Sequence, residues 1–206
     1  MKMFLAAALI AVTAPACATP FTITDVQPDR AQVITIGTPL PAPLTAYVGR
    51  LDLTTSTGKT FFSWCIDLFH DVNVGAGQSL PYTTGPIVTD HHGNLLTIRQ
   101  KDEIAGLITH GNALLSAGGT SADSAATQLA IWKVEYPTLT YSGAPASTIA
   151  EESALLALTP HLGGGANSLV ALGGTQSFAG TVDAPASAML LLGGLPLLWA
   201  ARRRRG

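Results

Sequence analysis

Two apolar segments marked by positive charge bracket this chain and decide how much of it is left to fold. Lys2 precedes an apolar run over residues 3–12, and small residues follow as far as Ala18. That is the layout of a secretory signal. At the other end, residues 188–201 carry no charge and run into Arg202, Arg203, Arg204 and Arg205, with only Gly206 beyond. These 14 residues fall short of the roughly 20 that span a bilayer comfortably, and residues 184–187 lengthen the segment. The arginines should stay cytoplasmic, which leaves everything before the apolar segment outside the inner membrane. The expected organisation is a signal peptide at 1–18, an exported domain at 19–181 and a tail with a transmembrane helix at 182–206.

The whole-chain charge of −2 hides an acidic protein. Lys2 and the four terminal arginines belong to the ends, which leaves six of the 11 basic residues against 13 acidic ones, near −7. That balance argues against nucleic acid or anionic lipid as partner of the exported part, and for an acidic extracellular module. The mean hydropathy of +0.34 is raised by the same two ends. The 163 residues between them suffice for one domain with a real core.

Cys17 and Cys65 are the two cysteines. Both Ala14-Pro15-Ala16 and Ala16-Cys17-Ala18 satisfy the small-x-small rule for signal cleavage. Cleavage after Ala16 keeps Cys17 and opens a Cys17–Cys65 disulfide, although a lipoprotein would want leucine where Ala14 stands. Cleavage after Ala18 is preferred; it discards Cys17 and leaves Cys65 alone. An exported chain uses cysteines mainly for disulfides, so a lone thiol asks for another role.

The first half of the domain reads as sheet. Phe21-Thr22-Ile23-Thr24 alternates, Val33-Ile34-Thr35-Ile36 is rich in β-formers, and residues 47–53 alternate again. Residues 59–69 are the strongest strand candidate. Alternation puts Phe62, Trp64, Ile66 and Leu68 on one face, and Phe61, Ser63, Cys65, Asp67 and Phe69 on the other. The second half reads as helix. Residues 98–115 carry Ile104, Leu107, Ile108 and Leu115 on or near one stripe. Ser121 or Asp123 can cap a second helix running to about Tyr136, stopped by Pro137. Thr148-Ile149-Ala150-Glu151 resembles a capping box opening a third, which ends near Pro160. Residues 163–180 hold one or two last strands grading into a Gly-rich linker. The class is α+β, an antiparallel sheet or sandwich layered with two or three helices.

Sixty-three residues after Cys65, the second helix carries Thr127-Gln128-Leu129-Ala130-Ile131-Trp132. Gln128 has Ser124, Ala125, Ile131 and Trp132 as its three- and four-residue neighbours, so its amide needs a partner if that side is buried. The ordinary partner is a strand edge. A cysteine sulfur offers a chemical one. Attack on the side-chain carbonyl with loss of ammonia gives an internal thioester. It requires a near-attack approach of ~3–3.5 Å between rigid elements, a base for the thiol proton, and exclusion of water. Phe61, Phe69 and Trp132 could form a dry wall, and Asp67 and the His70-Asp71 pair are candidate proton handlers.

Phe62-Ser63-Trp64-Cys65-Ile66-Asp67 and Thr-Gln-Leu-Ala together resemble the bacterial surface thioester domains, whose glutamine lies in a TQxA motif. The resemblance implies a Cys65–Gln128 bond and a single-use adhesion or cross-linking module, not an enzyme and without a cofactor. Its targets would be amines or hydroxyls on a cell surface or matrix. The tail, Val182-Asp183-Ala184-Pro185-Ala186-Ser187 followed by the apolar segment and arginines, resembles PEP-CTERM sorting signals of Gram-negative bacteria. Of the usual Val-Pro-Glu-Pro, Val182 and Pro185 keep their places. That resemblance implies an exosortase-type processing partner, and a product released from its membrane helix to the surface or matrix.

Three rival readings use the same residues. A cysteine hydrolase would draw a base from His70, His91, His92, His110 or His161. A metal site would draw on Asp67, His70, Asp71, His91 and His92, whose spacing fits no strong ligand pattern. A passive exopolysaccharide- or biofilm-associated protein would bury Cys65 as an inert thiol and Gln128 as a satisfied core amide.

Overall fold

The computed structural model describes residues 20–87, 95–162, 167–171 and 176–180. Residues 1–18, expected as a signal peptide and including Cys17, lie outside the described residues, as do His91, His92 and residues 182–206, expected as a sorting tail. Among those described, no helix is long and apolar enough to cross a membrane.

Seven strands and three helices make up the described chain: β1 Phe21–Ile36, β2 Leu44–Thr55, β3 Thr60–Cys65, β4 Gly75–Gly85, α1 Ile98–Ser116, α2 Ser121–Glu135, β5 Tyr141–Ser142, α3 Ala146–Leu158, β6 Asn167–Ala171 and β7 Phe178–Gly180. The sheet order is β2-β3-β7-β6-β4-β1-β5, and β1 also pairs with β2. All pairings are antiparallel. The sheet therefore curls until its two sides meet on β1, and the exposed edges that an open sheet would carry largely disappear. The class is α+β as expected, with a curled sheet in place of a sandwich.

Apolar alternation along β1 and β2 sends Ile23, Val26, Ile34, Ile36, Val48, Leu51 and Leu53 inward. They meet Ala125, Leu129, Trp132 and Tyr136 from α2 and its C-cap. The other side of α2, with Ala126, Ala130 and Ile131, packs against Ile104, Leu107 and Ile108 of α1, Leu155 of α3, and Trp64 and Ile66 at the end of β3. Helix α2 is thus buried on both sides, from Ser124 through Trp132. No single polar stripe could have been read from its sequence.

The helix starts follow local chemistry in two cases out of three. The cap of α2 is Thr120, in place of the expected Ser121 or Asp123, with Asp123 completing a reciprocal capping box from the third position, and Thr97 and Gln100 form the same box on α1. The third differs from expectation. Helix α3 begins after Pro145, two residues before Thr148, and Thr148 instead buries its hydroxyl against Gln32 Oε1 at 2.9 Å.

Helices α1 and α2 cross at Gly111. A Cβ there would lie 2.5 Å from Thr127 Cγ2 and 3.0 Å from Trp64 Cζ2. Gly111→Ala should therefore push α2 away from β3 and cost about 1–3 kcal/mol, measured as a lower urea midpoint with an unchanged slope.

Candidate functional site around Cys65

Strand β3 ends at Cys65, four residues short of the expected strand, because Asp67 turns the chain. Its carboxylate accepts from the backbone N–H of Phe69 (3.0 Å) and His70 (3.2 Å) and meets His70 Nδ1 at 2.9 Å. Strand alternation holds through Ile66 and then fails. Cys65, Leu68 and Phe69 join the inner core, whereas Trp64 and Ile66 face the helices. Neither the Asp67 carboxylate nor the His70 ring, the expected proton handlers, is among the described hydrogen-bond contacts of the sulfur. The carboxylate is taken up by the turn, and what Asp67 offers the thiol is its backbone: Sγ lies 3.0 Å from Asp67 O and 3.4 Å from Asp67 N.

Helix α2 enters the sheet's own bonding, first between β1 and β2 and then at the end of β3. Ser124 Oγ accepts from Arg50 N (2.8 Å) and donates to Asp29 O (3.1 Å). One turn on, Gln128 closes on Cys65 from both sides: Cys65 N donates to Oε1 at 2.9 Å and Nε2 donates to Cys65 O at 2.8 Å. Gln128 is completely buried. In a strand, the N–H and C=O of one residue point the same way within the sheet, while Cβ stands out of it. An amide locked onto both backbone groups therefore occupies a strand's place and is turned from the sulfur. This corrects the expected Cys65–Gln128 bond: Gln128 clamps the cysteine backbone.

The amide that does meet the sulfur belongs to Gln176. On the opposite side of β3, Cys65 pairs with Phe178 of β7, and Ile66 N donates to Ser177 O at 3.1 Å. Continuing that register by two residues sets Gln176 against Asp67, on the face that carries the Cys65 and Phe178 side chains. Gln176 Nε2 lies 2.7 Å from Cys65 Sγ and 3.2 Å from Asp67 O. Its backbone carbonyl accepts from the buried Tyr82 hydroxyl at 2.8 Å. The amide carbon is one C–N bond beyond Nε2, hence at most ~4 Å from the sulfur, close to the ~3–3.5 Å attack range.

Cys65 itself is 4% exposed, whereas Gln176 is half-buried, so the pair opens to solvent from the Gln176 side. Trp132, Tyr136 and Phe178 share its core cluster. Phe69 stacks edge-on to Tyr136 at 5.8 Å, and Phe61 packs further off against Phe21 at 6.3 Å. Of the expected wall, Trp132 is a buried member of the Cys65 cluster, and Phe61 and Phe69 pack partly buried against it. Burial pushes the Cys65 thiol pKa well above its ordinary value; the Asp67 N–H and the Trp132 indole oppose the shift, and the charges of Asp67 and Glu135 add to it. Because the neutral thiol is favoured in the fold, a chain holding Cys65 as free thiol has this contribution in full below the unfolded thiol pKa of ~8.5. It should lose ~1.4 kcal/mol per pH unit above that, up to the folded pKa. Urea midpoints at rising pH, compared with Cys65→Ala, test this.

No histidine is among the described contacts of the sulfur. No group of three or more His, Cys, Asp and Glu side chains is gathered for a metal among the described residues. Gln176 escaped the sequence reading because it precedes a strand of three residues behind a Gly-rich stretch. The available signal was a second Thr-Gln pair, Thr175-Gln176, before the apolar Phe178.

No family model matches the chain, and no curated protein matches it. Among solved structures it is similar to the N-terminal thioester domain of a surface protein from Clostridium perfringens, with 10% identity over 80% of this chain and 99% of that one, TM-score 0.49. Two structures of a pilus-presented adhesin are also similar, at 14% and 16% identity and TM-scores of 0.47 and 0.46. They cover 82% and 81% of this chain, which spans about half of that adhesin (49% in each). These likenesses are remote, and the chemistry rests on the residues just described.

Proposed function

We propose that Cys65 and Gln176 form an internal thioester, and that the exported protein uses it once to attach itself covalently to a nucleophile on a surface or matrix target. The observation that carries this reading is the Gln176 amide at 2.7 Å from Cys65 Sγ, beside a cysteine whose backbone Gln128 holds fixed. Sulfur bonds to the Gln176 side-chain carbonyl carbon, the C–N bond breaks, and the thiol proton leaves with the nitrogen as ammonia. Holding Cys65 at the end of β3 and Gln176 just before β7 supplies the orientation such a step needs. An amine or hydroxyl entering from the Gln176 side then displaces the sulfur, leaving an amide or ester on the Gln176 carbonyl and a thiol on Cys65. Ammonia is not put back, so there is no turnover and the protein is not an enzyme.

Delivery belongs to the same proposal. The signal at 1–18 exports the domain, and the PEP-CTERM-like tail at 182–206 holds it at the membrane until an exosortase-type enzyme releases it to the surface or matrix. Full-length chain persisting in cells with active exosortase would contradict the release step.

The competing reading, a passive matrix protein with an inert thiol, draws on the burial of Cys65. Intact mass separates the two. A thioester gives a mass one ammonia below the sequence mass, raised by methylamine addition and restored to the full value by Cys65→Ala. A full mass with Cys65 alkylating as a free thiol supports the passive protein.

A further inference from the structure

A buried hydrogen-bond donor in the core cluster of Cys65 lacks an acceptor in good geometry. Trp132 is 2% exposed, and among the described residues its indole Nε1 has no partner in hydrogen-bond geometry. Native interiors retain few such groups, because each forfeits a hydrogen bond it made in water. Trp132 follows Gln128 by one turn of α2, so the two share the side of the helix that faces Cys65. It packs in the same core cluster as the cysteine. Cys65 is also the polar group on which the indole acts, favouring the sulfur anion against the opposing effects of burial and of the Asp67 and Glu135 charges.

A thiol or thioester sulfur is a weak acceptor, whereas a thiolate is a strong one. We propose that the Trp132 indole N–H is the donor that receives the leaving Cys65 sulfur when the acyl group is transferred. The role rests on the Cys65–Gln176 thioester. It satisfies the condition for acceleration, since the interaction is weak in the resting state and strong as charge develops.

In the step itself, the acceptor amine adds to the carbonyl carbon contributed by Gln176. The tetrahedral intermediate collapses, the C–S bond breaks, and its electron pair passes to Sγ. Asp67 N, 3.4 Å from Sγ, already faces that charge, and the Trp132 indole N–H is the second donor the proposal brings to it. The nitrogen of Gln176 has already departed as ammonia, so its own N–H no longer contributes. The proton shed by the attacking amine ends on the sulfur, giving an amide and a neutral thiol with nothing else consumed.

The test uses the full chain with two replacements, Trp132→Phe and Trp132→β-(3-benzothienyl)alanine, the second of which keeps the bicyclic shape and removes only the N–H. Intact mass first establishes whether the acyl bond is present, and the rate of methylamine aminolysis is then measured. Both replacements should retain the mass deficit and slow aminolysis about 10- to 100-fold. A deficit with native rates in the benzothienyl chain overturns the role, including when Trp132→Phe alone is slow, because packing would then explain the loss. A native chain of full mass removes the thioester reading itself, an outcome that no rate comparison can mimic. Should either variant fail to fold, the indole proton resonance of Trp132 in the native chain decides. It should shift when Cys65 of the methylamine-opened chain is ionised at high pH, because only the thiolate is a strong acceptor, and a resonance unmoved across that ionisation overturns the proposal.

Discussion

Gln176→Ala is expected to abolish the acyl bond completely and to leave the fold standing. Gln176 is half-buried, its side chain touches only the Cys65 sulfur and Asp67 O among the described contacts, and its backbone bond to Tyr82 survives the change. A substitution of this kind should move stability by about 1 kcal/mol or less. The chemistry has no substitute, since no other side-chain amide lies against the sulfur among its described contacts. The purified variant should have its full sequence mass, be indifferent to methylamine, and melt close to the native chain once that chain's own acyl bond has been opened. A retained mass deficit would mean that another carbonyl is the acyl donor.

Gln128→Ala should do the opposite kind of damage. It leaves the buried N–H and C=O of Cys65 without partners, each worth about 1–3 kcal/mol, and opens a void inside a helix packed on both sides. The sum, on the order of 3–5 kcal/mol, is a large part of the ~5–15 kcal/mol that holds a domain of this size together. The acyl bond should be lost as well, as a consequence of freeing the cysteine strand. Urea unfolding followed alongside intact mass distinguishes the two glutamines: one removes chemistry at nearly constant stability, the other removes both. Equal stability of the two variants would contradict the clamp assigned to Gln128.

Much of the fold was legible where local chemistry and burial agree. Strand patterns mark β2 and both ends of β1, although β1 runs unbroken over Phe21–Ile36 where two separate segments were expected, and the stripe of Ile104, Leu107 and Ile108 marks α1 within a few residues of expectation. Two features were hidden because neighbours distant in sequence decide them. Strand β3 stops early because the Asp67 carboxylate captures the next backbone N–H groups, which no apolar pattern announces. The one or two last strands expected within residues 163–180 are present as β6 and β7, but their place in the middle of the sheet, between β3 and β4, is set by partners that no local pattern names.

The candidate site failed in the same place. Cys65 stood out by its solitude, and Gln128 by an amide on an apolar helix. Both lie at the centre of the arrangement. What sequence spacing could not give is direction. A glutamine one helix away can reach either the backbone or the sulfur of a strand cysteine, and only the contacts separate those uses. Gln176 becomes visible once the pairing of Cys65 with Phe178 is known, because an antiparallel register then assigns it to the sulfur's side of the sheet.

The central claim is the identity of the acyl donor, and peptide mapping after methylamine treatment tests it most directly. The account predicts a methylamide on Gln176, an unmodified Gln128, and a Cys65 that becomes alkylatable only after treatment. A methylamide on Gln128, or a Cys65 that alkylates before any amine is added while both glutamines stay unmodified, would contradict it.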